Sequence, residues 1–112
     1  MILENTGLDG MKSELAVLDD IADKLGFVRW QWEYSRATYD HKITENGQDY
    51  YLRINARAVE GRLEDPEAVL AIESVYIGRH TFPHGLDYDS PISETVLKEA
   101  RRKIEELKTR LA

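Results

Sequence analysis

The sequence predicts a single α+β domain over residues 1–112, built around an antiparallel sheet. Three observations support this fold class. Apolar residues recur at helical spacing near both ends of the chain, apolar and polar residues alternate between those ends, and Asn46-Gly47 lies within the alternating stretch. A chain of 112 residues suits one hydrophobic core, and the lack of cysteine excludes disulfides and thiolate metal sites.

Two helices are predicted from apolar residues three or four positions apart. The first covers residues 11–25 and ends at Gly26, where a left-handed cap is easiest. The second begins with Ser90 as N-cap and Pro91 at the first helical position. The apolar faces are Met11, Leu15, Leu18, Ala22 and Leu25 in the first helix, and Ile92, Val96, Ala100, Ile104, Leu107 and Leu111 in the second.

Four strands are predicted between the two helices. Asn46-Gly47 is a strong signal for a two-residue hairpin loop, because both loop positions need positive φ. A loop there pairs Asp40 with Arg53 on one face of the sheet and apolar residues with each other on the opposite face. The strands are expected over residues 28–34, 37–44, 48–59 and 69–78.

The remaining connections carry weaker signals. Ser35-Arg36 is expected to join the first two of these strands, although it contains no glycine. The resulting pairs are Trp30 with His41 and Trp32 with Tyr39. Residues 79–89 have no period and contain proline and glycine, so a long loop is expected there.

An aromatic cluster is the first candidate site. The predicted registers put it on the helix-facing side of the sheet, where it would form either a ligand pocket or ordinary core. Core is the favoured interpretation, because a small domain needs large side chains to fill its interior. The candidate ligand-binding residues are Trp30, Trp32, Tyr39, His41 and Tyr50.

A metal site is the second candidate. His80, His84 and Asp87, with Asp89 nearby, offer the imidazole and carboxylate ligands that zinc or manganese would take in a chain without cysteine. Pro83 breaks the helix that makes such histidine spacing useful, so a solvated surface loop is the favoured interpretation.

Charge and composition limit the partners. A formal net charge of −6 argues against nucleic acid, because phosphate affinity comes from lysine and arginine. No apolar run approaches the roughly 20 residues that span a bilayer, and no export signal is recognisable, so a cytoplasmic location is expected. We predict no cofactor and leave open a two-fold homodimer, for which Tyr51 on the outward face of the sheet would serve as an anchor.

Three stretches of the chain resemble a known group of bacterial proteins. They are residues 26–43, 51–63 and 85–87, preceded by a short Ile2-Leu3 strand and by Gly7-Leu8-Asp9-Gly10. On these residues the chain resembles the YugN-like family of small uncharacterised proteins. The resemblance implies a β-α-β-β-β-β-α order and a curved antiparallel sheet with both helices on one face, similar to TBP-like and helix-grip-like folds. It implies no activity.

The function expected from the sequence is therefore a non-enzymatic interaction or regulatory domain, with an unknown protein or small molecule as partner. Catalysis is not favoured, because the serines lie in no nucleophile-elbow context and no glycine loop is suited to phosphate. One alternative is a small-molecule site between the sheet and the C-terminal helix. A second alternative is a metal-dependent activity at the loop around His80 and His84.

Overall fold

A computed structural model of the chain describes residues 1–81 and 85–112, with residues 31–33 described by their backbone alone. Within these residues a six-stranded antiparallel sheet has the order β1-β5-β4-β3-β2, and β6 also pairs with β5. The elements are β1 (Lys12–Glu14), α1 (Leu15–Lys24), β2 (Val28–Glu33), β3 (Arg36–Glu45), β4 (Gln48–Glu60), β5 (Val69–Thr81), β6 (Gly85–Asp87) and α2 (Glu94–Leu111).

The predicted α+β class, with a curved antiparallel sheet and two helices, is confirmed. Helices α1 and α2 pack against each other and bury their apolar faces in the same core as one face of the sheet. The predicted apolar stripe of α2 is confirmed, because Val96, Ala100, Ile104 and Leu107 are all buried. No helix in the described part of the chain is long and apolar enough to cross a membrane.

The hairpin between β3 and β4 has the predicted register. Asn46 and Gly47 have φ values of 50° and 77°, as a type I′ loop requires. Asp40 lies opposite Arg53, and Tyr39 lies opposite Ile54. Because successive side chains of a strand point to opposite faces, this register sets the two faces of the whole sheet.

The predicted register of β2 is wrong. Trp30 lies opposite Thr38 rather than His41, and Arg29 rather than Trp32 lies opposite Tyr39. A shift by three residues is odd, so Trp30 is transferred to the face away from the helices.

The connection after β2 explains this shift. A register irregularity interrupts the pairing with β3 between Gln31 and Glu33. The carbonyl of Ser35 then accepts a hydrogen bond from Ala58 N at 2.7 Å, so β4 also holds the connection in place. Glu33 pairs with Arg36, so the two-residue turn is Tyr34-Ser35 rather than the predicted Ser35-Arg36, and the irregularity adds one further residue to the shift.

Both helices begin later than predicted. Lys12–Glu14 pairs with β5 as a strand, so α1 begins at Leu15 rather than at residue 11. The N-cap of α2 is Ser93, whose Oγ accepts a hydrogen bond from Val96 N at 3.2 Å. Ser90 was expected in that role, but its hydroxyl donates to Asp87 instead.

The expected long loop over residues 79–89 is partly a hairpin. β5 continues to Thr81, and β6 returns beside it with His80 opposite Leu86. The part of β5 beyond the predicted strand, residues 79–81, and the strand β6 are each three residues long, which is too short to show an alternating pattern. Residues 82–84 lie outside the described residues.

The two faces of the sheet differ in composition. Leu52, Ile54 and Ala56 of β4 are buried beneath the helices. The alternate residues Arg53 and Asn55 lie on the opposite face, which neither α1 nor α2 covers. We call this second face of β2 to β5 the open face.

Shortening a side chain of β4 should cost more stability where the side chain is buried beneath the helices than where it is exposed. We expect Leu52→Ala to lower the free energy of unfolding by about 2–5 kcal/mol, because the side chain is fully buried and its loss leaves a cavity. Val59→Ala is the matched control in the same strand and should cost less than about 1 kcal/mol, since Val59 is 40% exposed. Urea denaturation of both variants measures the difference, and equal losses would contradict the assigned faces.

Candidate functional site

An ion pair occupies the centre of the open face. Arg53 donates from Nε to Asp40 Oδ1 at 2.8 Å and from Nη2 to Asp40 Oδ2 at 2.9 Å, which is the two-bond geometry of a strong arginine–carboxylate pair. The Asp40 side chain is only 7% exposed and that of Arg53 is 26% exposed. These hydrogen bonds raise the pKa of Arg53 above its ordinary value. The pair is thus largely buried on a face that no described helix covers.

Tyr88 extends over this pair from the segment after β6. Its hydroxyl lies 3.1 Å from Arg53 Nη1, which donates a hydrogen bond to it, and its ring centroid lies 5.8 Å from that of Tyr76. Gly78 of β5 makes this approach possible. A Cβ placed on Gly78 would lie 3.1 Å from Tyr88 Cδ1 and 3.2 Å from Leu86 Cβ, which is tighter than most contacts of that kind.

Asp87 holds the segment that carries Tyr88. Its carboxylate accepts from Asp89 N at 2.9 Å, from Ser90 N at 3.2 Å and from the hydroxyl of Ser90, and it also lies 3.4 Å from Arg79 Nη2. The hydrogen bond from the Ser90 hydroxyl is the largest cause lowering the pKa of Asp87, followed by the Asp89 backbone bond. Asp87 is therefore a structural carboxylate of this turn.

A row of polar side chains lies beside the ion pair. Thr38 Oγ1 donates to Asn55 Oδ1 at 3.0 Å, and Asn55 Nδ2 donates to Ser74 Oγ at 3.3 Å. The row crosses β3, β4 and β5 in register. It therefore presents both donors and acceptors to the open face.

Two cavities meet at Arg53. The larger has a volume of about 620 Å³ and the smaller about 420 Å³. Arg53 lines both of them, so the ion pair lies at their junction. The larger is lined by residues that include Arg36, Thr38, Asn55, Glu73, Ser74, Tyr76 and Tyr88, and the smaller by Trp30, Asp40, Tyr51, His80, Gly85 and Leu86.

The structure separates Trp30 from the other described residues of the predicted aromatic site. Tyr39 and Tyr50 are buried in the core beneath the helices, whereas Trp30 lies on the open face and is 54% exposed. Burial first, and then the hydrogen bond from Tyr39 to Asp19 at 2.7 Å, raises the pKa of Tyr39. The side chain of Trp32 lies outside the described residues.

His41 has the surroundings of a packed histidine. Its Nδ1 lies 3.0 Å from the carbonyl of Gly26, and its ring centroid lies 5.3 Å from that of Phe27. It also lines a cavity of about 420 Å³ between β3 and α2, together with Glu99. Its role in ligand binding stays a prediction.

The metal prediction is not tested at its central residue. His84 lies outside the described residues. His80 is exposed with its ring centroid 5.8 Å from that of Tyr51, and Asp87 is engaged by Ser90. Among the side chains that the structure describes, no group of three or more histidine, aspartate or glutamate residues is arranged to hold an ion.

Sequence reasoning identified the Asp40–Arg53 pair as a sheet contact but not as the centre of a site. The pairing of Asp40 with Arg53 across an alternating hairpin was the available signal. Tyr76 and Tyr88 carried no signal, because the approach of Tyr88 depends on a three-residue strand and on the absent side chain of Gly78.

The chain matches a known protein family over most of its length. A model of the YugN-like family matches residues 4–105. The chain belongs to the YugN-like family. The resemblance found in the sequence is thereby confirmed.

Three relatives within this family show how far the similarity extends. Uncharacterized protein YlbA of Bacillus subtilis (strain 168) is 42% identical over 84 residues, covering 74% of this chain and 70% of that protein. Uncharacterized protein YugN of the same strain is 31% identical over 88 residues, covering 78% and 66%. The crystal structure of uncharacterized conserved protein YugN from Geobacillus kaustophilus HTA426 has a TM-score of 0.87 at 36% identity and covers 99% of this chain and 94% of its own. The names of these relatives assign no activity, and the function of the chain is unknown.

Removing only one partner of the Asp40–Arg53 pair should destabilise the fold more than replacing both partners. We expect Arg53→Ala to lower the free energy of unfolding by about 3 kcal/mol, because it leaves the Asp40 carboxylate buried without its partner. The double variant Asp40→Leu/Arg53→Met should recover most of this loss.

Arg57→Ala is the matched control for the ion pair. Its partner Glu73 is 39% exposed, so the cost should be below about 1 kcal/mol. Chemical denaturation of the four proteins provides the measurement. A double variant no more stable than Arg53→Ala would show that the cost does not come from the unpaired carboxylate.

Asp87 should make stability depend on acid pH. A lowered pKa in the folded state stabilises the fold above the ordinary value of 3.8, and this contribution is lost as the pH falls through the lowered pKa. Asp87→Asn should therefore be less stable than the native chain at pH 7, with the difference shrinking below about pH 4. Thermal unfolding across this range measures it, with Asp23→Asn as a control of equal charge change. A constant difference would contradict the assignment.

Proposed function

We propose that the chain is a non-enzymatic binding module whose ligand site is the open face, centred on Arg53. The observation that carries the proposal is the Asp40–Arg53 pair, which is largely buried at the junction of two cavities although no described helix covers it. The proposal therefore assigns the open face as the binding surface of the interaction domain that the sequence predicts.

The burial of this pair supports binding more than stability. Removing two charges from water costs several kcal/mol per ion, and apolar residues of similar volume often stabilise a fold as well or better. A charge pair beside cavities of about 620 and 420 Å³ instead gives the surface directional hydrogen-bonding groups. Trp30 and Tyr76 add flat apolar surface beside it.

The chemistry of the central residue supports binding without catalysis. Arginine stays protonated in proteins, and the hydrogen bonds to Asp40 raise the pKa of Arg53 further. Such a group does not exchange protons with a substrate near neutral pH, whereas it orients planar polar groups well.

The location and assembly expected from the sequence stay proposals. We retain a cytoplasmic location and a two-fold homodimer. The dimer is supported by the outer edge of β2, which no described strand pairs, and by Val28, Trp30 and Tyr34, which are more than half exposed along this strand and its end.

A ligand screen followed by nuclear magnetic resonance tests the proposed site. With ¹⁵N-labelled protein and a library of small polar aromatic compounds, amide shifts are expected at Asp40, Arg53 and Ser74. Shifts confined to His41 and Glu99 would place binding between β3 and α2 and contradict the proposal.

Two aromatic substitutions give the matched comparison. Trp30→Ala should weaken binding of any hit about tenfold, since an aromatic wall of the smaller cavity is lost. Tyr34→Ala removes another exposed aromatic side chain that does not line either cavity and should leave the affinity unchanged. Equal effects of both substitutions would contradict the assignment of the site.

A further inference from the structure

Arg53 has hydrogen-bonding capacity that the fold does not use. A guanidinium has five N–H donors. One on Nε and one on Nη2 donate to Asp40, and one on Nη1 donates to Tyr88. One N–H on each terminal nitrogen therefore has no partner among the side chains that the structure describes.

The position of these two donors selects the group that they can bind. Asp40 occupies the side of the guanidinium formed by Nε and Nη2, so the remaining pair comes from Nη1 and Nη2. Two donors on adjacent nitrogens match the two oxygens of a planar oxyanion.

We propose that the open face binds a small molecule that carries a carboxylate next to an aromatic ring, with the carboxylate on Nη1 and Nη2 of Arg53. This inference rests on the proposed function and specifies its ligand class. The carboxylate enters at the junction of the two cavities, where Arg53 lines both.

The charges around Arg53 favour a single negative charge on the ligand. Arg36 and Arg53 line the larger cavity together with Glu73, Asp40 is paired with Arg53, and Glu73 is paired with Arg57, so three positive groups lie beside two negative ones. These two carboxylates repel a second negative charge, which disfavours a phosphate dianion relative to a carboxylate. Asn55 and Ser74 also line the larger cavity, where they offer hydrogen bonds to further polar groups of the ligand.

The ring of the ligand has an aromatic surface within reach. Trp30 lies in the smaller cavity with Arg53 and Tyr51, and its side chain is 54% exposed before any ligand binds. Aromatic pairs add about 0.5–1.5 kcal/mol to area burial. The cavity volumes of about 620 and 420 Å³ lie in the range of about 300–1,000 Å³ that small-molecule sites occupy, so a free small molecule rather than a protein chain is the expected source of the carboxylate.

Four probes separate the parts of this inference. Benzoate carries ring and carboxylate, benzamide replaces the carboxylate by a neutral group of the same shape, acetate lacks the ring, and inorganic phosphate is the competing oxyanion. The titrations are followed by ¹H–¹⁵N correlation spectra that include the Arg53 Nε–H signal. Benzoate should bind at least about tenfold more tightly than each of the other three probes. Benzamide lacks the charge-assisted contact of two oxygens with Arg53, and acetate lacks the contact of the ring. A short peptide ending in phenylalanine is the fifth titrant, and binding tighter than benzoate would overturn the small-molecule source.

Two arginine substitutions localise the carboxylate. Arg53→Lys keeps a positive charge opposite Asp40 and so preserves the fold, but a lysine has no fork and should weaken benzoate binding at least about tenfold. Arg57→Lys is the matched control on the same strand, ion-paired with Glu73, and should leave benzoate binding unchanged. Urea denaturation confirms that both variants are folded.

The outcomes distinguish the ligand class from the site. If benzamide binds the open face as tightly as benzoate, or if Arg53→Lys and Arg57→Lys act alike, the carboxylate inference is wrong while the open face stays a binding site. If no probe and no library compound shifts the open-face amides of the folded protein, both the inference and the proposed function are overturned. If phosphate binds more tightly than benzoate, the charge argument is wrong and the ligand class changes.

Discussion

The pairing of β3 with β4 determines which side chains of the sheet meet the helices. Asn46 and Gly47 both adopt positive φ, and this fixes Tyr39 opposite Ile54 in the core and Asp40 opposite Arg53 on the open face. A slip by one residue would bury the ion pair under α2 and expose the apolar row. The core, the ion pair and the cavities therefore depend on the geometry of one two-residue loop.

The open face then depends on a small set of close approaches. Gly78 leaves room for Tyr88, whose hydroxyl reaches Arg53, and Asp87 holds the turn from which Tyr88 extends. Tyr88 covers Arg53 from one side and reduces its contact with water. The two cavities leave the other sides of Arg53 accessible. The ion pair is consequently stronger than an exposed pair and still within reach of a ligand.

Much of this fold follows from local patterns, and the parts that do not follow have physical causes. The β3–β4 register was predictable because one dipeptide and two alternating strands agree. The face on which Trp30 lies was not predictable, because one extra residue in the strand before Ser35 transfers the preceding side chains to the opposite face of the sheet. The candidate site also has a predictable part and an unpredictable part. The Asp40–Arg53 contact could be predicted from the strand register. The position of Tyr88 over Arg53 could not, because it depends on the pairing of β6 with β5 and on the space left by Gly78, which has no Cβ.

The outer edge of β5 has a consequence for how the chain folds. Leu3, β1 and β6 each bond to a different part of this edge, and Met1 bonds to Ile77 across 76 positions of sequence. Contacts between such distant segments form late, because closing a long loop costs entropy before any contact compensates for it. Until the N-terminal segment arrives, a long apolar strand presents unpaired backbone groups to solvent, which is the condition under which chains associate with each other. By pairing with this edge, the N-terminal residues leave fewer backbone groups of β5 open to association with another chain.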